Sequence, residues 1–131
     1  MVIPHHHSLE TDMKRILIVE DDVNLSQVIG FRFQDAGFET KVSNDSTSAV
    51  SLHKKHKFDI IITDIQMPYI SGEKLVRQLR SLDRKTPIFV FTGTEANLEE
   101  IRSWGAIDIF YKTVQFNSII DRVVDVLGSP K

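Results

Sequence analysis

Phe58-Asp59-Ile60-Ile61-Ile62-Thr63 is a nearly continuous aliphatic run that stops at Asp64. It reads as the central strand of a parallel sheet, because helices packed on both faces leave such a strand no polar side. Outward from it, Ile16–Val19 is a similar run that ends in Glu20-Asp21-Asp22, and Ile88–Phe91 is another that ends in Thr92-Gly93. Phe38–Val42 reads as a short edge strand and Ile107–Tyr111 as a fifth strand, with Lys112 directly after it.

The stretches between these runs carry helical spacing. From Val23 to Ala36, Leu25, Val28, Ile29, Phe33 and Ala36 recur on one face, with Asp22 placed to cap the start and Gly37 the end. Ser46–His56 presents Ala49, Val50 and Leu52. A loop with Pro68 and Gly72 leads to a helix over Glu73–Leu82. Leu98, Ile101 and Trp104 mark a fourth helix closed by Gly105, and Ile119, Ile120, Val123, Val124 and Leu127 a fifth that Gly128, Ser129 and Pro130 terminate. Five strands alternating with five helices, joined by right-handed crossovers, predict an α/β three-layer doubly wound (βα)5 sandwich. Its sheet is parallel and five-stranded in the flavodoxin-like order 2-1-3-4-5. In that order the first and third strands are neighbours, and the crevice beyond their carboxyl ends is the expected ligand site.

The 131 residues suit one domain, expected over residues 13–128, with tails at 1–12 and 129–131. The first tail holds His5, His6 and His7 without the pattern of a secretory signal, and reads as a natural tail or an expression remnant. Basic and acidic residues, 16 against 18, are mixed along the chain, so no basic stripe points to nucleic acid. The apolar runs fall far short of the ~20 residues of a spanning helix, which argues against a membrane role. The absence of cysteine excludes thiolate chemistry and disulfides and favours a cytoplasmic setting. His53 and His56 on the second helix read as a solvated face with no assigned role.

On the expected scaffold Glu20 and Asp21 from the first strand meet Asp64 from the third. Carboxylates crowded in a crevice repel one another unless a cation neutralises them. A hard oxygen set with no His or Cys selects Mg²⁺, with Mn²⁺ or Ca²⁺ as substitutes. Thr92 and Lys112, at the ends of the fourth and fifth strands, aim a hydroxyl and an ammonium at the same crevice. A metal on one side and donors on the other are the parts that stabilise phosphoryl transfer.

The segments Ile-Leu-Ile-Val-Glu20-Asp21-Asp22, Asp64-Ile-Gln-Met-Pro68-Tyr-Ile-Ser-Gly72, Phe91-Thr92-Gly93 and Gly105-Ala106 leading to Lys112 resemble the receiver domain of two-component response regulators, from Lys14 to Leu127. The resemblance implies that Asp64 is the phosphoacceptor. It also implies that Asp21 holds Mg²⁺ directly, Glu20 through water, and the Gln66 backbone carbonyl as a further ligand. Thr92 would bond a phosphoryl oxygen and move on activation, and Lys112 would pair with another oxygen. The donor would be a phosphohistidine on a sensor histidine kinase or a histidine phosphotransfer protein. The switch would control an output domain or target protein, with a homodimer as one further assembly. Such a domain catalyses its own phosphorylation and slow dephosphorylation and is otherwise not an enzyme.

Two departures from the family pattern stand out. Thr113 follows Lys112 where the family usually has Pro, and Ile109 stands three before Lys112 where it tends to have Tyr or Phe. Strand alternation puts Phe110 opposite Ile109 and leaves only Tyr111 on the same face. Signal transmission through Thr92 without an aromatic rotation is therefore the expectation, with Gln66 and Thr94 tuning the phosphate lifetime. Among rivals, a haloacid-dehalogenase-like phosphatase needs a second Asp where Gln66 stands, and an amide cannot protonate a leaving group. A flavodoxin-like FMN carrier needs a phosphate loop where Glu20-Asp21-Asp22 would repel phosphate. A pseudo-receiver, a binding module that has lost phosphorylation, stays open as the alternative.

Overall fold

The computed structural model describes residues 13–112 and 116–128; the tails at 1–12 and 129–131, and Thr113 after Lys112, lie outside the described residues. Five strands, β1 (Arg15–Val19), β2 (Glu39–Ser43), β3 (Ile60–Thr63), β4 (Ile88–Thr92) and β5 (Asp108–Tyr111), alternate with five helices. These are α1 (Val23–Asp35), α2 (Ser46–His56), α3 (Gly72–Leu82), α4 (Leu98–Trp104) and α5 (Phe116–Leu127). The strands form one parallel sheet of order β2-β1-β3-β4-β5.

Every residue of β3 and β4 is buried, which is why their sequences are aliphatic or aromatic up to the threonine that ends each, Thr63 and Thr92. Successive side chains alternate between two cores. Ile16 and Ile18 join Phe33, Phe89, Phe91, Ile119 and Val123 on one face, and Leu17 and Val19 join Ile61, Leu75, Leu79, Val90 and Ile101 on the other. Each such side chain contributes about 1.5–3 kcal/mol by leaving water. The split also settles the alternation in β5: Phe110 belongs to the first core, and Ile109 packs against the second.

Local chemistry fixes the helix ends. Asp22, Asp45, Ser71 and Asn97 each accept a first-turn N–H with the side chain, so α1 to α4 are all capped. Gly37 takes the left-handed conformation just after α1; its N–H donates to the Gln34 carbonyl and that of Phe38 to Phe33. The Phe33 and Phe38 rings then meet edge to face at 6.1 Å, the apolar contact that accompanies this terminating turn.

Several expectations shift. The edge strand runs one residue later than its apolar pattern, because Phe38 is spent on the α1 terminus. Strand β3 begins at Ile60, since Asp59 turns its carboxylate to the Arg15 N–H. Val28, Ala36 and Leu98, which helical spacing assigns to apolar faces, are exposed. His53 corrects the reading of a solvated face: it is 2% exposed, stacks on Phe58 and bonds Asp83.

Gly72 opens α3 against Ile65, the residue after Asp64. A Cβ there would lie 2.3 Å from Ile65 Cβ and 2.7 Å from its Cα. Because the obstacle includes backbone, Gly72→Ala is expected to destabilise the fold by about 1–3 kcal/mol. Urea unfolding should show this as a lower midpoint at unchanged slope; an unchanged midpoint would contradict the contact.

Candidate functional site

The parallel register sets the site. Val19 pairs with Thr63, so β1 and β3 end side by side, and the Asp64 N–H donates to the Val19 carbonyl at 3.0 Å. Glu20, Asp21 and Asp64 therefore emerge together, each able to bring one carboxylate oxygen within 4.8 Å of the others. Glu20 and Asp64 are buried and Asp21 is exposed. Lys112 begins one residue beyond β5; its N–H donates to the Thr92 carbonyl, and its side chain turns into the same crevice.

The Lys112 ammonium bridges two acids, Asp64 Oδ2 at 2.7 Å and Glu20 Oε1. The other oxygen of Asp64, Oδ1, accepts the backbone N–H groups of Ile65 at 2.6 Å and Gln66 at 3.0 Å, which fixes the carboxylate plane. Glu20 Oε2 accepts the Asp22 N–H at 3.2 Å, and the Asn44 amide donates to the Glu20 carbonyl at 2.7 Å. Asn44 had no place in the sequence reading. Its position at the end of the edge strand, beside two neighbouring strand ends, was the available signal.

Electrostatics leave this crevice short of positive charge. Burial pushes the Glu20 carboxyl above its ordinary pKa, and the Lys112 ammonium and the Asp22 N–H offset this only in part. Burial also works against the Lys112 ammonium, but the Asp64 and Glu20 carboxylates outweigh it and hold its pKa above the ordinary lysine value. Apart from these shifts, three carboxylates within reach of one another face a single ammonium, an arrangement that a further cation would neutralise. The donor set is all oxygen, one side opens to solvent at Asp21, and the residues present fit a hard divalent ion such as Mg²⁺.

Thr92 lies at the same end of the sheet, wholly buried. Its hydroxyl pairs with that of Thr94 at 3.2 Å, and among the described residues no hydrogen bond joins it to Asp64. Gln66 contributes its N–H to Asp64, as described. Ile109 packs on the second core, and the Tyr111 hydroxyl donates to the Ala96 carbonyl at 3.3 Å in the β4–α4 loop.

The comparisons agree on one family. The sequence model of the response regulator receiver domain matches residues 16–124. Among curated proteins, the regulatory protein AtoC of Escherichia coli is 31% identical over 92% of this chain and 27% of its own length. A response regulator receiver protein of Anaeromyxobacter is 32% identical over 83% of this chain and 47% of its own. The chain thus spans between about a quarter and a half of these relatives. Among solved structures, Vibrio cholerae chemotaxis protein CheY4 superposes with a TM-score of 0.80 at 26% identity, over 87% of this chain and 98% of that one. Thermotoga maritima TrrA, solved in complex with Mg²⁺ and BeF, gives a TM-score of 0.80 at 26% identity, over 87% and 99%.

If the Lys112 ammonium competes with a divalent ion for the same carboxylates, Lys112→Met should tighten Mg²⁺ binding three- to tenfold, about 0.7–1.4 kcal/mol. Isothermal titration calorimetry measures this directly, and unchanged or weaker affinity would contradict the competition.

Proposed function

Because the chain belongs to the response regulator receiver domain family, we propose that it is a phosphoacceptor switch in which Asp64 receives a phosphoryl group. The single observation that carries the reading is the convergence of Glu20, Asp21 and Asp64 with the Lys112 ammonium bridging two of them. In the transfer, an Asp64 carboxylate oxygen forms the P–O bond as the P–N bond of a phosphohistidine donor breaks, and the leaving imidazole takes up a proton. Glu20, Asp21, Asp64 and the Gln66 carbonyl would hold Mg²⁺, which supplies positive charge to the phosphoryl oxygens when bound.

The chain's own residues do the remainder. Ile65 and Gln66 hold Oδ1 by their N–H groups, so the carboxylate meets the donor already oriented. Lys112 exchanges its contact with Oδ2 for one with a phosphoryl oxygen. The Thr92 hydroxyl leaves Thr94 to donate to another phosphoryl oxygen, and the β4–α4 loop loses that tie. With Ile109 in place of an aromatic ring, the loop and its Tyr111–Ala96 contact pass the change to the surface of α4 and β5. The donor is a sensor histidine kinase or histidine phosphotransfer protein, the receiver of the signal an output domain or target protein, and the setting the cytoplasm.

Incubation with acetyl phosphate or phosphoramidate and Mg²⁺ is expected to add one phosphate to the intact mass of the wild type and none to Asp64→Ala. EDTA added before the donor should abolish the adduct. No adduct with any donor would favour the pseudo-receiver. Gln66→Ala should change the lifetime of the adduct by roughly threefold or more while altering its formation rate less; equal effects on both rates would remove Gln66 from that role. Paired structures with and without beryllofluoride should show Thr92 moving and no aromatic side chain swinging inward.

A further inference from the structure

The opposite end of the sheet carries a second charged concavity. The α2 carboxyl terminus and the loop joining α3 to β4 border an open cleft of about 440 Å³, lined among others by Lys54, Lys57, Arg84 and Lys85. These side chains come from two basic segments, His53–Lys57 and Asp83–Lys85, that lie far apart in sequence. All four are exposed, and none makes an ion pair among the described residues.

The acid within the cavity is already committed. Asp83 Oδ1 accepts the N–H groups of Lys85 at 2.8 Å and Thr86 at 3.2 Å, while Oδ2 takes the Thr86 hydroxyl and His53 Nε2. The hydrogen bond from the Thr86 hydroxyl is the main reason the Asp83 carboxyl lies below the ordinary carboxylate range. Nδ1 of His53 accepts the Phe58 N–H, which leaves Nε2–H to face Asp83. The buried imidazole and the saturated carboxylate make a fixed floor, and the loop cations are left facing outward. The bland account is that lysines near a helix carboxyl terminus complement its dipole. Two such termini offset roughly one charge and Asp83 one more, against four cations, so about two positive charges remain unmatched. Lys57 also holds its cation on a left-handed backbone, φ 51°, a conformation that favours glycine.

We infer that this cleft binds a compact polyanion of the polyphosphate class, held by Lys54, Lys57, Arg84 and Lys85 and independent of the chemistry at Asp64. The volume suits a small molecule rather than a macromolecular surface. Inorganic polyphosphate and the polyphosphate tail of a nucleotide share this chemistry. A neighbouring concavity distinguishes them, because Arg84 also borders a space of about 520 Å³ that includes Arg77 and Trp104. A nucleoside would extend onto Trp104, the chain's single tryptophan.

The full chain, free of divalent ions and at low ionic strength, is titrated separately with tripolyphosphate and ATP while backbone amide resonances and Trp104 fluorescence are followed. Shifts at residues 54–57 and 83–85 are expected, with little change around Glu20 and Asp64. Lys57→Gly combined with Arg84→Gln should weaken binding about tenfold or more. Glycine suits the Lys57 backbone, so this variant keeps the fold, and Lys41→Ala on the exposed edge strand should bind as the wild type does. Equal affinities for the two probes would identify an inorganic site; tighter ATP binding with a Trp104 response would identify a nucleotide site. No shifts at millimolar probe, shifts confined to Asp64 and its neighbours, or equal losses in the double variant and Lys41→Ala would overturn the assignment.

Discussion

Three carboxylates brought to one crevice with a single ammonium among them is the constraint on which this molecule turns. Isolated in water, Glu20, Asp21 and Asp64 would keep apart. The parallel pairing of β1 with β3 holds their chain positions side by side, and packing on both sheet faces supplies the free energy that opposes their repulsion. Lys112 relieves part of the strain as a built-in cation, delivered by the end of β5 across the sheet. The charge still missing and the all-oxygen donor set are consistent with a divalent ion at this crevice.

The same crowding gives the site two electrostatic arrangements. In the structure the ammonium is drawn down onto Glu20 and Asp64, and the Thr92 hydroxyl is turned away to Thr94. A phosphoryl group on Asp64 would add negative charge and new acceptors, favouring movement of both donors toward it. Thr92 is wholly buried and its hydroxyl is tied to Thr94 in the following loop, so a change of partner at Thr92 would release that tie. In the proposed switch, chemistry at one strand end would reach the surface of α4 and β5 by this route.

Much of this was legible in the sequence, and what was not has identifiable reasons. Ile60–Ile62, with aliphatic residues at every position, could be little else than a buried parallel strand, and Asp64 at its end located the crevice. Asp22 and Gly37 announced the ends of α1 by their own chemistry, because capping is local. His53 was misread because its partner, Asp83, is 30 residues away and belongs to a loop with no periodicity. Val28 and Phe31 are apolar yet exposed, Phe31 at 66%, so hydrophobicity alone did not define the buried face of α1. At the site, strand ends gave the carboxylates and Lys112, but the Thr92–Thr94 pair and the Asn44 contact depend on side-chain rotamers that spacing does not encode.

In the proposed switch the acyl phosphate forms on one residue, Asp64. Borohydride reduces an aspartyl phosphate to homoserine, so phosphodonor treatment followed by reduction and peptide mapping locates the modified position. The account requires homoserine at position 64, dependent on Mg²⁺ and absent without donor. Homoserine at Glu20-adjacent Asp21 or Asp22 instead, or a stable adduct elsewhere with position 64 unmodified, would contradict it.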